Sequence, residues 1–241
     1  MEKPIAWRRK ECRDAFLYEI YNTRCRGKTF NEFKDNVPNV PSIQRYLRKN
    51  PGQYWRCYTL YYGMVNVFPP SVAYELYKRY NATVVLDPCA GWGGRAMGAE
   101  ALGIEYVGYD TNLNLFEGYQ KLKFSEKVSI GLGIDSSTEA FDENKFDMVF
   151  TSPPYYHREK YNGMPGWETK QEFIDSFLIP MCRNAWTALK PGGTMALNIP
   201  VWMYDVAKTV LGEATETFAM PKRQRQQTQY LECIYVWNNN V

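Results

Sequence analysis

Apolar positions change rhythm near residue 66. Before that point, short runs at helical spacing are interrupted by Pro38, Pro41, Pro51 and Gly52. After it, β-branched apolar runs alternate with helical patterns, and strands are predicted over 83–86, 105–109, 128–134, 146–150, 194–199 and 231–237. Strand, turn and helix in alternation predict an α/β fold with an open, largely parallel, doubly wound sheet. The chain therefore divides into a small, mostly helical extension, residues 1–66, and a main domain, residues 67–241. Within the main domain, Phe68-Pro69-Pro70-Ser71 opens a helix along which Val72, Leu76 and Tyr80 recur. A later helix starts at the capping-box pattern Thr169-Lys170-Gln171-Glu172, carries Phe173, Phe177, Met181 and Trp186, and stops at Lys190-Pro191-Gly192-Gly193. Pro180 in its middle predicts a kink.

The extension holds most of the excess positive charge: 13 Lys/Arg against 6 Asp/Glu from Met1 to Leu60, in a chain whose net charge is only +3. Arg8, Arg9, Lys10 and Arg13 share one helical surface, and Phe16, Leu17 and Ile20 supply an apolar stripe, which predicts a docked helix with a basic outer face. A second cluster interleaves Arg45, Arg48, Lys49 and Arg56 with Tyr46, Tyr54, Trp55 and Tyr58. Such a mixture suits a lid over the main domain first and a nucleic-acid grip second. Aromatic content is high, at 16%, and serves base stacking or core filling equally well. The six cysteines form no Cys-x-x-Cys pair and His157 is the only histidine, so neither a zinc site nor a histidine relay is expected. No signal-like or membrane-spanning run is present, and an intracellular, non-secreted protein without membrane or metal partners is expected.

The chemistry centres on Thr83-Val84-Val85-Leu86-Asp87-Pro88-Cys89-Ala90-Gly91-Trp92-Gly93-Gly94-Arg95. A buried strand runs into a glycine turn and then a small-residue helix. Glycines let the main chain approach a ligand closely, and a helix start offers unpaired N–H groups. Asp110, Asp135 and Ser152 fall at the ends of later predicted strands, and ligands of such sheets bind beyond those ends. Asp110, about 20 residues past the glycines, stands at the offset from which a carboxylate accepts ribose hydroxyls.

These residues resemble the S-adenosylmethionine-dependent amino-methyltransferases of DNA. The first motif of that family looks like Asp87-Pro88-x-x-Gly91-x-Gly93, and its catalytic motif like Ser152-Pro153-Pro154-Tyr155. The similarity runs in motif order from Phe68 to the C-terminus. It implies a Rossmann-like class I methyltransferase fold binding S-adenosyl-L-methionine, with S-adenosyl-L-homocysteine as product. By the resemblance Phe68 and Pro70 cover the methionine end, and Asp87, Pro88, Cys89, Ala90, Gly91 and Gly93 hold it. Asp110 and Thr111 take the ribose, and Asp135 and Ser136 lie beside the adenine.

An exocyclic amine conjugated to its ring is a poor nucleophile. Acceptors aimed at its hydrogens favour pyramidal nitrogen and the charge that grows on attack. Ser152 Oγ and the Pro153 carbonyl are the proposed acceptors, Pro153 and Pro154 stiffen the loop, and Tyr155 offers a face to an extruded base. Serine in first position is more typical of the cytosine-N4 members than of the adenine-N6 members, so cytosine N4 in DNA ranks first and adenine N6 a close second. RNA bases, a protein amide and a non-catalytic partner subunit are the remaining alternatives. Arg158 and Lys160, in the loop after the motif, and Lys222, Arg223 and Arg225, in a later basic segment, are candidate nucleic-acid contacts; a solvated turn is the plain reading of the last three. No large recognition domain fits between or after the motifs, so recognition falls to the extension, these loops or a partner, and a homodimer or a separate specificity subunit stays open.

Overall fold

The computed structural model describes residues 5–63, 65–156, 159–220 and 232–240. The extension contains α1 (Ile5–Ala15), α2 (Leu17–Asn22), a two-residue strand β1 (Arg24–Cys25), α3 (Phe30–Asp35), α4 (Pro41–Lys49) and α5 (Tyr54–Tyr61). The main domain continues with α6 (Pro70–Arg79), β2 (Val84–Asp87), α7 (Gly94–Leu102), β3 (Glu105–Asp110), α8 (Phe116–Leu122), β4 (Val128–Leu132), β5 (Phe146–Thr151) and β6 (Glu159–Lys160). It closes with α9 (Lys170–Phe173), α10 (Ile179–Thr187), β7 (Leu189–Pro200), α11 (Val201–Leu211), β8 (Glu216–Ala219) and β9 (Glu232–Asn238).

Among the described residues seven strands form one sheet in the order β4-β3-β2-β5-β7-β9-β8, parallel except where β9 runs antiparallel to both neighbours. This is the open, largely parallel sheet that the alternation predicts. Side chains alternate across it with period two. Leu86, Val149, Met195, Leu197, Tyr235 and Trp237 enter one core, with α10 and α11; Val85, Met148, Phe150, Ala196, Ile234 and Val236 enter the other, with α6 and α7. β2, β5, β7 and β9 are thus covered on both faces, and burying each large apolar side chain contributes roughly 1.5–3 kcal/mol.

The extension has no separate core. Phe16, Phe33 and Tyr58 pack in one cluster with Trp92, Met97 and Leu115 of the main domain. Phe16 sits so close to Gly118 that a Cβ there would lie 2.1 Å from its ring. The predicted first helix is broken: Phe16 adopts φ −107° and ψ 19°, α2 restarts at Leu17, and Phe16 and Ile20 turn inward while Leu17 stays outside. The basic face is also incomplete, because Arg9 Nε turns to the Val67 carbonyl at 3.0 Å. In the second cluster Arg45, Arg48, Lys49 and Arg56 are exposed, whereas Tyr58 is buried and stacks between Trp55 and Tyr62. Part of the aromatic excess therefore fills the core.

Three further differences have local causes. The predicted strand over 128–134 stops at Leu132, because Gly133 takes φ +78° and its N–H returns to the Asp110 carbonyl. β7 begins at Leu189 and carries Pro191-Gly192-Gly193 as an irregularity, opposite the register shift between Phe146 and Met148 of β5. Pro180, whose nitrogen cannot donate, follows a five-residue π turn over Ile174–Leu178. No helix among the described residues is long and apolar enough to cross a membrane.

Candidate active site

β2 leads directly into the site. Its last residue, Asp87, is fully buried and paired with Arg95 (Nε to Oδ2, 2.7 Å), and Tyr106 Oη donates to the same carboxylate. Burial works against the Arg95 charge, but Asp87, then Tyr106, more than offset it and hold the guanidinium protonated. Arg95 also reaches the Cys89 carbonyl and lies 5.2 Å from the Phe68 ring centroid. The ion pair staples the start of α7 to the end of β2. Between them the chain turns through Gly91 at φ +57°, a conformation that a side chain would strain. Close approach decides Gly94: a Cβ there would fall 2.1 Å from the Phe68 carbonyl oxygen.

Asp110, at the end of β3, accepts the N–H of Gly91 and of Asn112, both at 2.9 Å. Burial raises its carboxyl above the usual 3.8, and the two backbone donors oppose that rise. On the other side of β2, Thr151 at the end of β5 accepts the Cys89 N–H at 3.2 Å and brings Ser152 to the glycine turn. β2 lies between β3 and β5, where the connections change direction across the sheet, the point at which ligands of such folds bind. A cavity of about 710 Å³ opens there, within the range of ligand pockets.

The structure brings Pro88, Cys89, Ala90, Gly91, Asp110, Thr111 and Ser136 to that cavity, together with Phe68 and all four residues Ser152, Pro153, Pro154 and Tyr155. Burial, followed by Asp87 and Asp110, pushes the Cys89 thiol well up, so it is a neutral wall group and no thiolate nucleophile.

Five expected site residues lie off the cavity lining. Asp87 has no exposed surface and acts as the buried partner of Arg95, out of reach of a ligand. Asp135 turns its carboxylate to its own turn, accepting from the Ser137 N–H (2.9 Å) and hydroxyl (2.7 Å), and Ile134 and Ser136 face the cavity instead. Pro70 is buried in the first turn of α6 while Pro69 lines the wall. Gly93 faces Leu122 and Tyr119, on the far side of the turn. Lys160 is exposed on β6, paired with Arg24 of β1, away from the cavity lining. Arg158, Lys222, Arg223 and Arg225 lie outside the described residues.

Sequence reasoning missed several polar residues of the wall, Asn198 and Glu232 among them. Asn198 Nδ2, with two protons to donate, lies within hydrogen-bond reach of Ser152 Oγ (3.1 Å), Tyr155 Oη (3.1 Å) and Glu232 Oε1 (2.6 Å), and Tyr155 Oη lies 2.9 Å from the same carboxylate oxygen. A lone Asn inside the apolar run Met195-Ala196-Leu197-Asn198-Ile199 was the available signal. Tyr161, Trp167 and Phe177 add an aromatic surface beside Tyr155, and Arg9 stands at the mouth. Among the described residues no group of three or more His, Cys, Asp or Glu is placed to hold a metal ion.

The strand order, the antiparallel β9 and the cavity over the tips of β2, β3 and β5 define a Rossmann-like fold of the class I methyltransferase type. No protein-family model matches the chain, and no curated protein matches it. Among solved structures it is similar to the PH0226 protein of Pyrococcus horikoshii OT3, at 17% identity over 81% of this chain and 98% of that one, with a TM-score of 0.50. A TehB-like SAM-dependent methyltransferase from Corynebacterium glutamicum gives 16% identity over 81% and 96%, with a TM-score of 0.49. TrmN from Thermus thermophilus gives 17% identity and a TM-score of 0.49 over 71% of this chain, which spans about half of TrmN (49%). At these identities the likeness is one of fold.

Proposed function

We propose that the protein transfers a methyl group from S-adenosyl-L-methionine to an exocyclic amino nitrogen of a nucleic-acid base, with cytosine N4 of DNA the first-ranked target. The observation that carries this reading is the sharing of one cavity by Asp110 and Ser152, at strand tips on either side of β2. The residues present fit the cofactor. Each Asp110 oxygen receives one backbone N–H and keeps acceptor capacity for a ribose hydroxyl, and Gly91 leaves the turn open toward the cavity. Asp110 and Thr111 hold the ribose, Ile134 and Ser136 flank the adenine, and Phe68 with the main chain from Pro88 to Gly91 holds the methionine end.

When bound, the cofactor supplies an electrophilic sulfonium methyl. The residues on the β5 side supply orientation. Tyr155, Tyr161, Trp167 and Phe177 give a planar ring an aromatic surface. Ser152 Oγ accepts from the amine, which favours pyramidal nitrogen. The amine would be the nucleophile toward that methyl, Ser152 Oγ would stabilise the positive charge growing on nitrogen, and the amine proton would leave to solvent water. Placement accounts for most of such an acceleration, so no strong base is required.

The reading is tested by mass spectrometry of nucleosides from DNA and from RNA exposed to the protein and methyl-labelled cofactor. N4-methylcytosine from DNA is the expected product. N6-methyladenine moves the assignment to adenine, label in RNA alone moves it to RNA, and cofactor binding without label in either polymer supports a non-catalytic subunit.

A further inference from the structure

In the wall of the cavity one polar atom has no partner among the described residues: Asn198 Oδ1, in a side chain whose residue is only 2% exposed. Buried polar atoms are seldom left this way, and those that are mark a conformation held by something else. Here the other end of the amide shows what holds it. Nδ2 faces three oxygens, from Ser152, Tyr155 and Glu232, the last at 2.6 Å. Turning the amide over would let the two hydroxyls donate to Oδ1, but it would press Oδ1 against the Glu232 carboxylate, which has no proton to offer when ionised. The carboxylate therefore fixes which way the amide points.

The consequence falls on Ser152. Its hydroxyl receives the Asn198 Nδ2 proton at 3.1 Å, and its own proton is directed to the Asn198 main-chain carbonyl at 3.3 Å. With its single proton committed inside the wall, Ser152 Oγ meets the cavity through a lone pair. Tyr155 Oη, placed between Glu232 Oε1 (2.9 Å) and the Asn198 carbonyl (3.1 Å), is likewise committed as a donor to the wall.

We infer that Glu232 and Asn198 are positioning residues that lock Ser152 as a hydrogen-bond acceptor, so that the site selects a nucleophile bringing an N–H donor. Chain topology makes the lock possible, because antiparallel pairing sets Pro200 of β7 opposite Glu232 of β9 and so brings Asn198 near it. The inference rests on the proposed amine methylation, and it adds a carboxylate that acts through an amide on the serine.

The test is a double-mutant cycle on whichever polymer, unmethylated plasmid DNA or total RNA, takes label from the wild-type protein. Glu232→Gln replaces the anion by an amide that no longer enforces one orientation. It is expected to lower kcat at least tenfold while KM for the polymer changes less than threefold and S-adenosyl-L-homocysteine affinity stays within twofold. Added to Ser152→Ala, it should cause little further loss, since both remove the same acceptor. Losses that multiply, or a Glu232→Gln kcat within twofold of wild type, overturn the inference. Where Glu232→Gln loses S-adenosyl-L-homocysteine binding and so cannot be read, nitrogen NMR of the wild-type protein decides: an Asn198 side-chain amide protected from solvent exchange supports the lock, and one exchanging at the solvent rate overturns it. A wild-type protein that labels no polymer refutes the proposed function alone, because the NMR measurement still reads the lock.

Discussion

Asp87 and Asp110 end adjacent strands, yet burial gives them opposite tasks. Asp87 is sealed against Arg95, so Asp87→Ala strands a buried guanidinium and should destabilise the protein by roughly 3–5 kcal/mol in denaturant unfolding. Asp110 lines the cavity. Its removal should raise the dissociation constant of S-adenosyl-L-homocysteine at least tenfold in calorimetry, with a smaller stability loss of about 1–3 kcal/mol as two backbone N–H groups lose their acceptor. The pH dependence carries a definite sign. Burial raises the Asp110 carboxyl above 3.8, so its contribution to folding is fully present below 3.8 and is lost as pH rises through the raised value. Binding runs the other way: cofactor affinity, which needs the carboxylate, should weaken as pH falls through that raised value, and Asp110→Asn should flatten the dependence. At this scale the sequence showed Asp110 and Ser152 because both close predicted strands. It did not separate Asp87 from Asp110, since the difference is burial against Arg95 and Tyr106, partners that only the folded turn brings together. Asn198 and Glu232 meet across a sheet, 34 positions apart, and no local pattern records that.

One helix start that the sequence reading did not single out offers a clean titration. Thr29 and Glu32 make a reciprocal capping box at the start of α3, and Glu32 also pairs with Arg24. The Thr29 N–H, then Arg24, lower the Glu32 carboxyl below 4.5. A lowered carboxyl contributes stability above 4.5 that is lost as pH falls through the folded value. Glu32→Gln should therefore melt below wild type at pH 7, and the two melting temperatures should converge on acidification below 4.5. The capping signal at Thr169 is half fulfilled: Thr169 accepts the Glu172 N–H at 3.0 Å, while the Glu172 carboxylate takes the N–H of Glu168. Thr169→Ala should cost about 1 kcal/mol in denaturant unfolding. β8 escaped notice because Glu216-Thr217-Phe218-Ala219 is short and half polar, and gains its partner only from β9. The two-residue pair β1 and β6 is beyond any periodicity argument, since two residues define no period.

For the whole molecule, the alternation of strand and helix was enough to predict the sheet, but not where the extension lies on it. Its place is set by contacts between distant segments. Glu19 of α2 is buried and accepts from Asn112 Nδ2 (3.3 Å), itself in the cavity lining, and from Asn162 Nδ2 (2.9 Å), in the segment after Ser152-Pro153-Pro154-Tyr155. β1 pairs with β6 in that same segment, and Tyr161 meets Trp92 edge to face at 5.9 Å. One buried carboxylate therefore joins the extension, the turn after β3 and the wall that carries Tyr161, Met164 and Trp167. Glu19→Ala leaves two amide groups without their acceptor, a loss of about 1–3 kcal/mol for each that stays dry. The opening should be local, since the sheet makes no use of Glu19. Hydrogen exchange should accelerate over residues 159–168 and in α2 while β2, β3 and β5 keep their protection. Under the proposed function, polymer KM should rise more than the S-adenosyl-L-homocysteine dissociation constant, because the loosened wall carries the aromatic residues assigned to the base. Acceleration spread evenly over the sheet would instead make the extension a support of the entire fold.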